Sequence, residues 1–403
     1  MKSGFFDTCL ILLVSLTFFG AQTVWADESE VITQAEEEIE AVGEAELSDS
    51  KKKKKKKKKE KDPNRGRLLP IPVIITEPAI GKGLGVALAF FHRSKDGFEN
   101  DKVASPGTIS DARKEQKAPP TVTGVFGAYT SSKTAAAGVG HMDSFKDDHI
   151  RFTGLYAWAD VHSKFYIADQ ALKFNLEGRM LYAETRFRIR DSKWFAGVGV
   201  SYLDANSAFE FDLPDETPIE LFPTELRNVG LSAKLAWDTR DNTSMPNRGQ
   251  LFDLAVWRYD EAIGGDYDYW NGKIKLLSFH PFGEKFVLGL RAEYSAIDGD
   301  APFFAYPYVS LRGIAALRYQ GDQVGVAEVE GRYYFSPKWA MNAFVGVGKA
   351  NSDLPILESD QSIYSYGLGG RYQIFESQNI WVGVDIARGP EDTSWYIQVG
   401  QTW

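Results

Sequence analysis

The sequence predicts an all-β fold: a transmembrane antiparallel β-barrel of about sixteen strands behind a disordered amino-terminal extension. Three observations predict it. The chain opens with an export leader, after which no apolar run approaches the ~18 residues of a spanning helix. From about residue 82 onward, short alternating segments repeat strand, turn, strand, loop. The last segment also alternates. Trp395, Ile397, Val399 and Trp403 fall on one face, with Tyr396, Gln398, Gly400 and Thr402 on the other. A closed membrane barrel needs such a terminal strand, because its last strand pairs with its first and leaves no edge in lipid.

The elements follow in chain order. Lys2, the apolar run Leu10 to Phe19 and the small-residue site Val24-Trp25-Ala26 make residues 1–26 a signal peptide. Cys9 is the single cysteine and lies inside it, so the mature chain is expected to hold neither a disulfide nor a reactive thiol. Residues 27–67 are acidic up to Ser50, then carry the unbroken lysine run Lys51 to Lys59. Like charges this dense repel, so a disordered periplasmic tether is expected. Anionic lipid headgroups or another polyanion would suit the lysines, at about 1 kcal/mol per lysine near a charged surface. Nucleic acid is a poor partner for an exported chain. The net charge of −9 averages two opposite blocks and says little about the fold.

Residues 68–403 form the expected barrel. Strands are expected at 82–92, 121–130, 133–142, 149–160, 162–175, 178–190, 194–204, 226–238, 249–259, 266–279, 285–296, 322–335, 339–349, 362–375, 379–388 and 394–403. Short connections such as Ser131-Ser132 and Ser336-Pro337-Lys338 alternate with long ones at 93–120, 205–225, 297–321 and 350–361. Short periplasmic turns and longer outside loops give that parity. The turn at 239–248 is long for its side. The faces alternate as well: Val229, Leu231, Ala233, Leu235 and Trp237 oppose Gly230, Ser232, Lys234, Ala236 and Asp238. Charges on one face and apolar groups on the other fit a wet lumen and lipid; Lys273, Lys275, Arg291, Glu293 and Arg371 fall on the lumen side.

Two segments carry identity. Asp238-Thr239-Arg240-Asp241-Asn242, followed by Pro246-Asn247-Arg248-Gly249, reads as a turn whose Asp and Asn side chains cap backbone amides. Gly249 permits positive φ before the next strand. Val309-Ser310-Leu311-Arg312-Gly313-Ile314 lies in the long loop after the eleventh expected strand. With the aromatic last residue Trp403, these motifs resemble the BamA/TamA-like outer-membrane barrels, also called bacterial surface antigens, over roughly Leu68 to Trp403. Ile314 departs from the aromatic residue usual at that position.

The resemblance implies a sixth loop folded back into the lumen, with Arg312 gripping acidic residues of the inner wall and Gly313 permitting the tight tip. By parity, Glu328, Glu330 and Asp385 are the candidate partners; guanidinium grips carboxylate in a bidentate way. It also implies a Gram-negative outer-membrane location and a role in inserting, assembling or translocating protein or lipid. Unfolded protein or lipid clients and outer-membrane lipids are the expected partners of a monomeric barrel. The segment before the barrel has no room for the family's periplasmic POTRA domains, so client capture by them does not carry over. The glycine-rich strand at Gly83–Phe91 is expected to pair with the last strand at the seam where assembly members open.

The sequence shows no catalytic constellation, metal spacing or cofactor motif. His92, His141, His149, His162 and His280 read as isolated strand-end residues, and Gly81-Lys82-Gly83-Leu84-Gly85 lacks the helix that phosphate binding needs. No enzyme activity and no cofactor are expected. The alternatives to an assembly role are a selective or passive channel and a structural surface protein.

Overall fold

The structure is a computed structural model that describes residues 67–75, 77, 79–92, 119, 121–167, 170–212, 218–352, 362–375, 380–401 and 403. The leader, the acidic block and the lysine run lie outside the described residues, as does most of 93–120. Sixteen strands make one antiparallel sheet in chain order. They are β1 (Arg67–Ile75), β2 (Gly83–Phe91), β3 (Val122–Thr130), β4 (Ala135–Phe145), β5 (Ile150–Ile167), β6 (Gln170–Arg188), β7 (Trp194–Asp212) and β8 (Pro218–Asp238). The second half holds β9 (Gly249–Tyr259), β10 (Asp268–Phe282), β11 (Phe286–Asp300), β12 (Gln323–Ser336), β13 (Trp339–Asn351), β14 (Ile363–Phe375), β15 (Ile380–Arg388) and β16 (Thr393–Val399).

The count of sixteen agrees with the sequence reading, but two differences offset each other. Arg67–Ile75, read as a proline-containing lead-in, is the first strand. Every one of its residues pairs with β2, from Arg67↔Phe91 to Ile75↔Gly83. Further on, the three segments expected at 149–160, 162–175 and 178–190 are two continuous strands, β5 and β6, paired from Ile150↔Phe187 to Ile167↔Gln170. Likewise the loop expected at 205–225 is largely strand, because β7 and β8 pair out to Asp212↔Pro218.

The extra first strand inverts the parity of the early connections. The turn after β3 lies at the same rim as the sixth loop, between β11 and β12. There Ser132 Oγ donates to Ile80 O at 2.5 Å and to His162 O at 3.2 Å, and Ala316 N–H donates to Glu77 at 2.9 Å. The sequence reading has the connection between β2 and β3 on the sixth-loop side, whereas the chain leaves β2 at Phe91 and enters β3 at Val122 on the opposite rim, shared with the β8–β9 turn. At that rim Arg151 bridges Asp148 and Asp238, at 2.7 and 3.0 Å.

An apolar belt encircles the outward face. Val198 is 61% exposed and Leu368 66% exposed, a display that only a lipid surface accommodates. Trp194, Trp237 and Phe252 cluster at its lower edge. Its upper edge shows in the register. On β6 the outward residues change from Phe187 and Leu181 to Arg179, which faces Asp204 of β7, and Asp204 in turn faces Arg227 of β8. A membrane-crossing strand needs about 9–11 residues. β5, β6, β7 and β8 have 18, 19, 19 and 21, so these four rise beyond the belt as a wing on the sixth-loop rim. The charges at Asp160, His162 and Glu177, which look like turn signals in sequence, are the solvated outer face of that wing.

The wing's inner face is apolar. Phe174, Leu176, Ala205 and Leu226 join Trp257, Tyr259 and Tyr269 in the largest core cluster, closed by Phe304, Ala305 and Tyr306 of the sixth loop. Phe303 packs edge-on against Phe174, with ring centres 5.1 Å apart, and Tyr259 stacks on Tyr269 at 4.5 Å.

The seam differs from the sequence reading too. The strand meeting the last strand is β1, not Gly83–Phe91. β1 and β16 approach within 8 Å at their Cα atoms without forming a ladder among the described residues. Pro70 and Pro72, two residues apart, remove two N–H donors from one and the same edge of β1. Prolines are tolerated only at an edge, which is why β1 is a seam strand and why its prolines disguised it.

Candidate functional site

The site is the lumen, and β12 is its spine. Val324, Val326, Glu328, Glu330, Arg332 and Tyr334 alternate inward and are all buried, while Gln323, Ala327, Val329, Tyr333 and Phe335 point outward. Read along the strand, the inner face runs apolar, acidic, basic, aromatic. Each stretch receives a different part of the chain.

The apolar stretch receives Val309, Leu311 and Ile314 of the sixth loop. The acidic stretch receives Arg312. Its Nη1 donates to Glu330 at 2.9 Å and to Asp385 at 2.8 Å, and its Nη2 donates to Glu328. The structure therefore brings together all three carboxylates that strand parity placed inward. The guanidinium also lies 3.3 Å over the Phe344 ring. Burial alone would lower the pKa of Arg312, but Glu328, Glu330 and Asp385 outweigh it and hold the guanidinium charged. Arg371 of β14 then ties the cluster to the last strands. It donates to Asp385 at 2.5 and 2.9 Å and to Gln398 of β16 at 2.9 Å.

Gly313 has φ +87°. A Cβ there would stand 2.9 Å from Gly389 N, so the tip can approach the β15–β16 connection only with glycine. Its N–H donates to Tyr396 Oη at 2.5 Å. Ile314, where the family pattern has an aromatic, fills the apolar pocket against Gly389.

The basic stretch receives the β8–β9 turn. Arg332 donates to Pro246 O and, at 3.0 Å, to Asn247 Oδ1; Tyr334 Oη–H donates to the same Asn247 oxygen at 2.7 Å. Met245 is buried beside them. The turn motif holds itself in shape for this. Asn242 Oδ1 accepts from Ser244 N and Met245 N at 2.7 and 2.8 Å, and Asp241 accepts from Asn247 N at 3.0 Å. Asp238 binds Arg240 at 2.9 Å and Arg151 at 3.0 Å, and Gly249 has φ +96°. The turn is long because it reaches inward to close that mouth of the lumen.

The end of the chain also turns inward. β16 stops at Val399, and Gly400, at φ +85°, breaks the alternation. Trp395 keeps the outward parity, paired with Ile386. Trp403, expected on the lipid side, lies in the lumen instead. Its indole stacks on Phe279 with ring centres 5.9 Å apart and donates to Glu328 at 2.7 Å. Gln401 accepts from Arg332 at 2.7 Å and donates to Glu330 at 3.1 Å.

Sequence reasoning missed Glu77 and Tyr396. A single acid in the apolar stretch Ile71 to Ile80 was the available signal for Glu77. Of the histidines, His92 and His141 are not isolated: they share the Thr123 hydroxyl, at 2.7 and 2.8 Å. Of the remaining lumen charges, Glu293 pairs with Arg291 at 2.9 Å and with Lys273 and Lys275 at 3.3 Å.

An apolar belt outside, a hydrogen-bonded lumen inside and a loop folded into it define an outer-membrane β-barrel with an occupied lumen. Residues 201–373 match the Omp85 superfamily domain. The matched stretch runs from β7 into β14 and takes in the sixth loop. Its fold is similar to that of BamA from Haemophilus ducreyi lacking POTRA domains 1–3, at 12% identity and a TM-score of 0.54, covering 84% of this chain and 71% of that one. It is also similar to CdiB from Escherichia coli (12% identity, TM-score 0.55, 83% of this chain and 62% of that one). CdiB from Acinetobacter baumannii matches at 10% identity and a TM-score of 0.51, over 83% and 59%. The chain thus spans less than two thirds of either CdiB. No curated protein sequence matches it.

Proposed function

We infer that this barrel inserts or translocates protein clients at the outer membrane, working as a single-chain barrel without enzymatic chemistry or cofactor. The observation that carries the reading is the sixth loop: Arg312 is clamped by Glu328, Glu330 and Asp385 beside a β1/β16 seam that forms no ladder among the described residues, in a barrel with an Omp85-type segment. A polar network fixes position more than it adds stability. A clamped loop next to a weakly joined seam is what a client-handling barrel needs. A passive pore needs neither, and large buried side chains such as Arg332, Arg371, Tyr259 and Phe304 fill this lumen.

Outer-membrane lipids contact the belt, and lipid clients fall within the same reading. The lysine run would hold the amino-terminal segment to anionic headgroups. Depleting the protein in its native host and reading the outer-membrane proteome tests the function. Loss or misorientation of other outer-membrane proteins is expected. Unchanged levels and orientation would refute the role.

A further inference from the structure

The seam lacks a ladder among the described residues, yet both of its banks are held by one loop. On the β16 bank, Gly313 N–H donates to Tyr396 Oη at 2.5 Å. On the β1 bank, just past the end of that strand, Ala316 N–H donates to Glu77 Oε1 at 2.9 Å. Four residues of the sixth loop, Gly313 to Ala316, therefore span the gap between the first and last strands. Both acceptors are buried, Glu77 at 7% and Tyr396 at 9% exposure, so neither bond is exchanged freely for water. Both are anchored on the loop side as well, because Arg312, between the two donors' positions and the acidic wall, is locked to β12 and β15. The loop's path also forces the contact. Gly313 packs against Gly389, and Ile314 N–H turns back to Leu311 O at 3.1 Å, presenting the Ala316 amide toward β1.

Among the described residues Glu77 has no ion-pair partner to explain its burial. Its Oε1 accepts from the N–H groups of Ala316 and Ala79, at 2.9 and 3.4 Å. Burial pushes the Glu77 carboxyl up, against the pull of those two amides. Among the described residues, those two backbone amides satisfy the buried carboxylate, which acts there as an acceptor.

We propose that the sixth loop is the strap that closes this barrel, bridging Tyr396 of β16 and Glu77 beyond β1, with Glu77 the positioning residue for the first-strand bank. Closure runs through the loop, so whatever lifts Arg312 from its carboxylates also releases the seam. The strap deepens the insertion reading, which gives an openable seam its use, but its test needs no client.

The test uses the full chain in a Cys9→Ser background, with spin labels on Leu68→Cys of β1 and Ile397→Cys of β16. Electron–electron resonance reads the distance across the seam in detergent and in liposomes. Glu77→Ala is expected to lengthen and broaden it by about one strand spacing, ~5 Å. Glu77→Gln, which keeps the acceptor oxygen, is expected to restore the parent distance, and Tyr396→Phe to reproduce the alanine effect. Heat-modifiable migration on gels verifies that each variant is a folded barrel. An unchanged distance in folded Glu77→Ala would overturn the strap, as would a Gln variant as open as Ala. Because this is read on the pure protein, a closed seam in Glu77→Ala refutes the strap alone. Failure of the depletion experiment refutes only the client role.

Discussion

The two halves of the lumen hold the same loop by different physics. On the β12–β15 side, the tip is held by charge: one guanidinium, three carboxylates and the second guanidinium of Arg371. On the β5–β10 side, the approach to the tip is held by aromatic packing, with Phe303 and Phe304 set against Phe174, Phe209, Tyr259 and Tyr269. Aromatic burial is strong but tolerant of sliding, because it is not directional. A bidentate network is directional and admits one placement. The aromatic half supplies adhesion and the charged half supplies register.

This contrast can be broken in order of expected effect. Arg312→Ala leaves Glu328 and Glu330 buried without their guanidinium, and should cost about 3–5 kcal/mol of barrel stability. It should also turn a low, unstable planar-bilayer conductance into a steady one. A large steady conductance in the parent would contradict the occupied lumen. Arg312→Lys should not restore the parent, because an ammonium cannot reproduce the fork.

Phe304→Ala should cost about 3 kcal/mol by cavity formation, measured by denaturant unfolding in liposomes. It should leave the conductance low, because the tip remains clamped. If it opened the pore as widely as Arg312→Ala, the division between adhesion and register would fall. Trp403→Phe keeps the stack on Phe279 but removes the indole donor to Glu328. A loss of about 1–2 kcal/mol is expected, read from the temperature at which the compact gel band disappears. Arg179→Ala, on the solvated outer face of the wing, should change stability by less than about 0.5 kcal/mol. A larger loss would mean that the wing's outer charges are structural.

The two halves also differ in how they read as sequence. β9, β13 and β14 lie within two residues of where alternation placed them. Their residues stay within or near the belt, where one face is lipid-apolar and the other lumen-polar, and the pattern ends where the membrane ends. β5 to β8 run past the belt. Beyond it the outer face turns to charge at Asp160, Glu177 and Asp204 while the inner face stays apolar, so a continuing strand looked like loops and short segments. Prolines hid β1 in the same way: Pro70 and Pro72 mark an edge, and an edge is defined only by what lies beside it.

The candidate site was legible in part for the same reason. Arg312, Gly313, Glu328, Glu330 and Asp385 stand in local patterns, a loop-tip motif and a period-2 face, and those survive in any correct register. The turn residues Asp241 and Asn242 capped their own backbone, again within a few residues. Trp403 was misplaced because a left-handed Gly400 reverses the alternation, and nothing in a period-2 pattern announces that reversal.

By itself, then, the sequence determined the barrel class, the inward and outward faces and the residues able to clamp the sixth loop, since each follows from spacings of a few residues. Only the tertiary structure decided which strand meets the last one, that Trp403 turns into the lumen, and that Glu77 meets Ala316 across 239 residues of chain. Those contacts depend on how the closing sheet brings distant segments together, and chain closure is not encoded in any local period.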